Sequence, residues 1–189
     1  MIKTLRVKKF SETVPALKGL EKKLGETKLK NILPFNTAYL IISRNVEKRE
    51  KDNYFENPDL LKKLDVNFVN YYLSAINDYE NGDNVAPLWK IAFESKNINP
   101  LINLSLGANA HINNDLPLSL AETIDDKKFY RDYQKAGTVI FESLDEILDS
   151  IHKDKPNAFL RFYYKLVMKY LIKRWRKSAW KKWNNLFYS

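Results

Sequence analysis

The chain has 189 residues, no cysteine, five glycines, seven prolines and a formal net charge of +9. This is the size of one domain able to bury a proper core. The absence of cysteine excludes disulfides, thiolate metal sites and cysteine nucleophiles.

The charge is unevenly placed. Residues 157 to 189 hold nine Lys or Arg and no Asp or Glu, which leaves residues 1 to 156 with 23 basic and 23 acidic side chains. The basic excess is therefore a property of one element and says little about the body. No apolar run reaches the length of a membrane span, and "MIKTLRVKKF" has no apolar stretch of the kind a secretory signal needs. A cytoplasmic protein is expected.

With so little Gly and Pro punctuation, long helices fit better than many short strands. For the first ten residues a frayed end and a short strand both fit. "SETVPALKGLEKKLG" reads as a helix capped by Ser11 and stopped at Gly25. After Pro34, Asn36 offers an N-cap for a helix from about residue 37. Leu61, Leu64, Phe68, Tyr72 and Ile76 recur three or four apart and predict a helix that ends near Gly82. "APLWKIAFESK" is a shorter helix after Pro87.

Residues 99 to 122 are apolar on nearly every face, so they predict a helix surrounded by others. A long amphipathic segment, interrupted at Gly137, precedes a last helix opened by Pro156 and Asn157. The sum is an all-α, single-domain bundle of about seven helices around a central buried one.

The central segment carries the chemistry. His111 is one of two histidines, and between Asn97 and Ala121 the only charged side chain is Asp115. Four apart on a helix, the two share a face, with Asn114 beside them. Pro117 has no N–H for the carbonyl of Asn113, which is left free. Gly107 permits close approach to the backbone. A buried polar group without a partner costs roughly 1–3 kcal/mol, so this cluster is either a core network or a pocket.

In the pocket reading, His111 is the general acid or base and Asp115 orients it. His-x-x-x-Asp is also a two-ligand spacing for zinc or iron. The remaining donors would have to come from Asp132, Asp65 or Glu122, because the other histidine, His152, lies in an exposed-looking segment. A metal held by His111 and Asp115 is therefore the lesser alternative, and no cofactor is predicted.

"LGANAHINNDLPLSL" resembles the hallmark of an uncharacterised family of bacterial and fungal proteins, in which Asn-Ala-His-Ile-Asn is followed, one residue on, by Asp-Leu-Pro-Leu. "FNTAYLIISR", "LDVNFVNYYLSAINDYENG", "PLWKIAFE" and "FYRDYQKAGTVIFESLDEIL" are similar too, so the likeness covers about residues 35 to 150. It implies a polar signature on Asn109, His111, Asn113 and Asp115, with Asp132, Tyr39 and Asp65 in matching places. Where relatives carry an aromatic residue before the aspartate, this chain has Asn114. A fainter similarity is to the helical fold of zinc-dependent phospholipases C and nucleases, whose remaining histidines this chain lacks.

In the C-terminal segment, Arg161, Lys165, Lys169, Lys173, Lys177 and Lys181 recur every four residues. Leu160, Tyr164, Val167, Leu171, Trp175 and Ala179 make an apolar stripe, and three of the four tryptophans lie here. The stripe predicts packing on the bundle up to about Trp175. Beyond it, residues 176 to 189 are expected to dock on an anionic membrane surface or a protein partner. Nucleic acid is disfavoured, since no helix-turn-helix or stacking platform is recognisable.

The leading expectation is a small-molecule enzyme, in specialised metabolism, with His111 and Asp115 catalytic and Asn109, Asn114, Tyr39 and Asp132 binding the substrate. A non-enzymatic binding or scaffold protein is the alternative, and a metal-dependent hydrolase the weaker one.

Overall fold

The computed structural model describes residues 6–151 and 157–188. Every regular element among them is helical. Helices α1 (Thr13–Leu24), α2 (Leu33–Lys51), α3 (Pro58–Asn81) and α4 (Pro87–Glu94) lead to α5 (Pro100–Ala110). A π-turn over His111–Asp115 joins α5 to α6 (Leu116–Thr123), and α7 (Tyr130–Glu142), α8 (Leu144–Ile151) and α9 (Ala158–Tyr188) follow. α5, the π-turn and α6 form one continuous rod, the central helix expected over residues 99 to 122. It packs on α2, α3, α4 and α9. A single hydrophobic core runs through all these contacts.

The punctuation follows local chemistry. Pro34, Pro58, Pro87 and Pro100 all stand in the first turn of a helix, where a missing N–H is harmless. Asn99 caps the central rod by accepting the N–H of Leu101 at 2.8 Å. Gly82 ends α3 in the left-handed region, with φ of 81°.

Four expectations need correction. α2 begins at Leu33, so Asn36 is no cap. It lies fully buried, donating to the Leu17 carbonyl and accepting from the Tyr72 hydroxyl, and thereby ties α1, α2 and α3 together. At the first helix, Glu12 takes the N–H groups of Lys8 and Lys9 in place of a Ser11 cap. The interruption of the long amphipathic segment falls at Ser143. Gly137 stays helical, and a Cβ there would meet the Arg176 Nε at 3.2 Å, so its bareness makes room for a guanidinium. The first described residues form no regular element, and the Val7 N–H and carbonyl are both held by the side-chain amide of Asn70.

The fourth correction concerns α9. Its buried positions are Met168, Ile172, Ala179 and Trp183, whereas Leu160 is exposed. The inward stripe is thus rotated from the expected one over the first half of the helix. Apart from the line of Arg161, Lys165 and Lys169, residues 158 to 172 are apolar, and so broad a pattern does not fix which side faces in. The terminal tryptophans belong to the core: Trp183 is fully buried and donates to the Ile124 carbonyl, and Trp180 packs on Tyr130 and Tyr133.

Candidate functional site

The π-turn shapes the site. The Leu116 N–H reaches back five residues to the His111 carbonyl, widening the helix one turn ahead of Pro117. Wide turns of this kind re-aim side chains and concentrate at functional positions. The Asn113 carbonyl that Pro117 leaves without an N–H receives the Lys182 ammonium at 3.0 Å. α9 is thereby anchored to the turn.

Asp115 is the hub of a buried network. Its carboxylate accepts Trp89 Nε1 at 3.0 and 3.1 Å, Asn114 Nδ2 at 2.8 Å and His111 Nδ1 at 2.7 Å. Ser119 Oγ donates to its backbone carbonyl. A carboxylate only accepts, so Nδ1 of His111 carries the proton and Nε2 is left with its lone pair.

The imidazole itself is boxed by rings. Phe68 stacks on it at 3.5 Å and 7°, Tyr39 lies at 4.7 Å, and Phe35 meets it edge-on at 5.6 Å. Removal from water holds the His111 pKa below its ordinary value, although the bond to Asp115 works in the opposite direction. Burial among these rings also raises the Tyr39 hydroxyl well above the usual phenol range, helped by the charges of Asp65 and Asp115. Tyr39 is therefore a phenol, not a phenolate.

Two adjoining cavities of about 80 Å³ each lie beside this box. They share the walls Tyr39, Ile42, Phe68, Leu116, Ile140 and Arg176. One is completed by His111, the other by Ser43 and Asp65. Three buried polar atoms in these walls, His111 Nε2, Tyr39 Oη and Ser43 Oγ, have no hydrogen-bond partner. Asp65 accepts from Thr13 Oγ1 at 2.8 Å, and its apolar surroundings push its carboxyl up to about 7. The Arg176 guanidinium lies 3.9 Å above the Tyr133 ring and donates to the Tyr133 carbonyl.

Of the residues singled out from the sequence, His111, Asp115, Asn114 and Tyr39 come together. Asn114 acts on Asp115 and not on the cavity. Asn109 is engaged elsewhere, accepting from Asn113 Nδ2 at 2.7 Å. Asp132 is fully buried and accepts the N–H groups of Glu56 and Asn57 at 2.8 and 2.6 Å, which fixes the start of α3. Glu122 bonds Tyr71. Among the described residues no three His, Asp or Glu side chains converge as metal ligands, and His152 lies outside those residues.

Sequence reasoning passed over Trp89, Phe68, Ser43 and Arg176. Arg176 carried no distinguishing signal, since Arg174 and Lys182 also stand outside the four-residue rhythm of the basic stripe. Ser43 follows Tyr39 by one helical turn.

Fold and site together define an all-helical protein with a buried His–Asp pair beside an apolar cavity. The chain belongs to the family of unknown function DUF5995, which it matches over residues 11–189. No curated protein and no solved structure matches it significantly.

Proposed function

We propose that the paired cavities bind a small, largely apolar molecule of about one ring in size, and that His111 serves there as a general base. The observation that carries this reading is the set of unpartnered atoms, His111 Nε2, Tyr39 Oη and Ser43 Oγ, in the walls of two adjoining cavities. Each costs roughly 1–3 kcal/mol if it stays unpaired, and a fold gains nothing from leaving three together. A ligand with a hydroxyl or another exchangeable proton would satisfy them. Merged by movement of a shared wall such as Phe68, the two cavities would be comparable to the roughly 150 Å³ that admits a benzene-sized molecule.

The roles follow from chemistry. His111 is held neutral by burial and its tautomer is set by Asp115, so it presents a lone pair able to take a proton. Asp115 is already satisfied by three side chains, so it positions the imidazole and does not contact the ligand. Tyr39 donates a hydrogen bond to an oxygen of the ligand. Arg176 is the cation nearest to any negative charge that develops when the proton leaves. Phe68, stacked on the imidazole and only half-buried, covers its face, while the Nε2 lone pair lies in the ring plane. A protein that binds a ligand here without transforming it would use the same atoms, and turnover of a proton-bearing ligand distinguishes the two.

Phenol and benzene are suitable probes, followed by the shifts of cavity methyl and ring signals in NMR spectra. Phenol is expected to bind about 10-fold more tightly than benzene, the worth of one buried hydrogen bond. His111→Gln should erase that preference, because its amide keeps Asp115 paired but offers no ring nitrogen at the far edge. Equal phenol and benzene affinities in the unaltered protein, or no shift of cavity signals with either, contradict the proposal.

A further inference from the structure

α9 buries one face in the bundle and presents a second, segregated face to solvent. Over its first turns the exposed side chains are Phe159, Phe162, Tyr163, Leu166 and Tyr170, between 53% and 76% accessible. Successive spacings of three, one, three and four residues place them on one side of the helix. Along the same side, the following turns carry exposed Lys173, Arg174, Lys177 and Lys181. α9 has no acidic residue to neutralise them. Arg161 and Lys165 do not dilute the aromatic part, since they turn toward α8 and pair with Asp145 and Asp149.

We infer that this face is an interfacial docking surface for an anionic phospholipid membrane, with Phe159, Phe162, Tyr163, Leu166 and Tyr170 entering the headgroup boundary and the four cations lying on the lipid phosphates. Charge complementarity selects this occupant. A row of cations without carboxylates repels a second copy of itself and attracts a surface of negative charge. The aromatic and basic parts follow one another along a convex helix. That suits shallow burial in a bilayer better than a nucleic acid, which wants its cations interleaved with the stacking rings.

No described helix is long and apolar enough to cross a membrane, so the contact is peripheral. The apolar part of the docking surface thus lies upstream of residues 176 to 189, which contribute only Lys177 and Lys181, because Trp180 and Trp183 are occupied in the core.

The full chain should co-sediment with vesicles of mixed phosphatidylglycerol and phosphatidylcholine at low salt, and much less with phosphatidylcholine alone. The pair Lys173→Glu and Arg174→Glu should weaken this partitioning by more than about 10-fold, each cation near an anionic surface being worth roughly 1 kcal/mol. The pair Phe162→Ser and Leu166→Ser should weaken it as well, and both sit on exposed positions that leave the melting temperature nearly unchanged. The inference is overturned if neither pair affects vesicle binding or if no binding occurs at low salt. It is equally overturned if the face instead mediates self-association in sedimentation velocity, or binds an oligonucleotide while ignoring vesicles.

Discussion

Asp115→Ala is expected to lower the stability of the fold by about 3–5 kcal/mol, because one deletion strands three buried donors. Trp89 Nε1, Asn114 Nδ2 and His111 Nδ1 all point at this carboxylate, which is only 1% exposed. The network also joins α4 to the π-turn, so its loss loosens the central rod where the helix is already widened. Asp115→Asn should recover part of the loss, since an amide oxygen can still accept from Trp89. Urea unfolding of the three proteins checks this, with the midpoint order unaltered, Asn, Ala. An alanine variant within 1 kcal/mol of the unaltered protein would remove Asp115 from its place as hub (threshold roughly one net hydrogen bond).

Gly107→Ala is expected to destabilise by about 2–3 kcal/mol through overpacking. A Cβ at this position would lie 2.5 Å from Cγ and 2.7 Å from Cβ of Phe35. Phe35 cannot easily retreat, because it is itself wedged against Tyr72, Trp89 and His111. The strain would therefore reach the imidazole box directly. Gly19→Ala is the control: a Cβ there meets nothing within 4 Å, and replacing a helical glycine should raise stability by roughly 0.5–1 kcal/mol. Thermal unfolding of both variants gives opposite signs if the packing is as described.

The elements were legible because period and punctuation agree. Prolines open helices, Gly82 closes one, and the all-apolar central segment is surrounded as its composition demands. The pairing of His111 with Asp115 was legible for the same reason, since spacing by four on a helix is a local fact. The π-turn was not. Pro117 frees the Asn113 carbonyl locally, but its partner Lys182, almost seventy residues away, could not be read from the segment.

The rest of the site was hidden by tertiary context. Asp132 and Asn109 have the right chemistry for substrate binding, yet backbone donors of another helix and a neighbouring amide already occupy them. Arg176 was submerged in a run of basic residues, and the bare backbone of Gly137 gives its guanidinium room beside the cavity. The facing of α9 was unreadable because its first half is apolar on every side except the line of Arg161, Lys165 and Lys169, and the central rod decides which side is buried. Sequence carried the local geometry, and long-range contacts decided which polar groups remained available.

The central claim is that His111 is neutral, protonated on Nδ1 and free to accept at Nε2. Long-range ¹H–¹⁵N NMR of the imidazoles reads tautomer and titration together, and a His152→Gln variant leaves His111 as the sole signal. The expected result is an Nδ1–H tautomer whose protonation falls below pH 6.5, the ordinary histidine value. The linked sign is fixed: the unfolded chain takes up the proton first, so the native state loses stability as pH falls through 6.5 toward the lower folded pKa. An imidazole protonated on Nε2, or titrating at or above 6.5, would contradict the account.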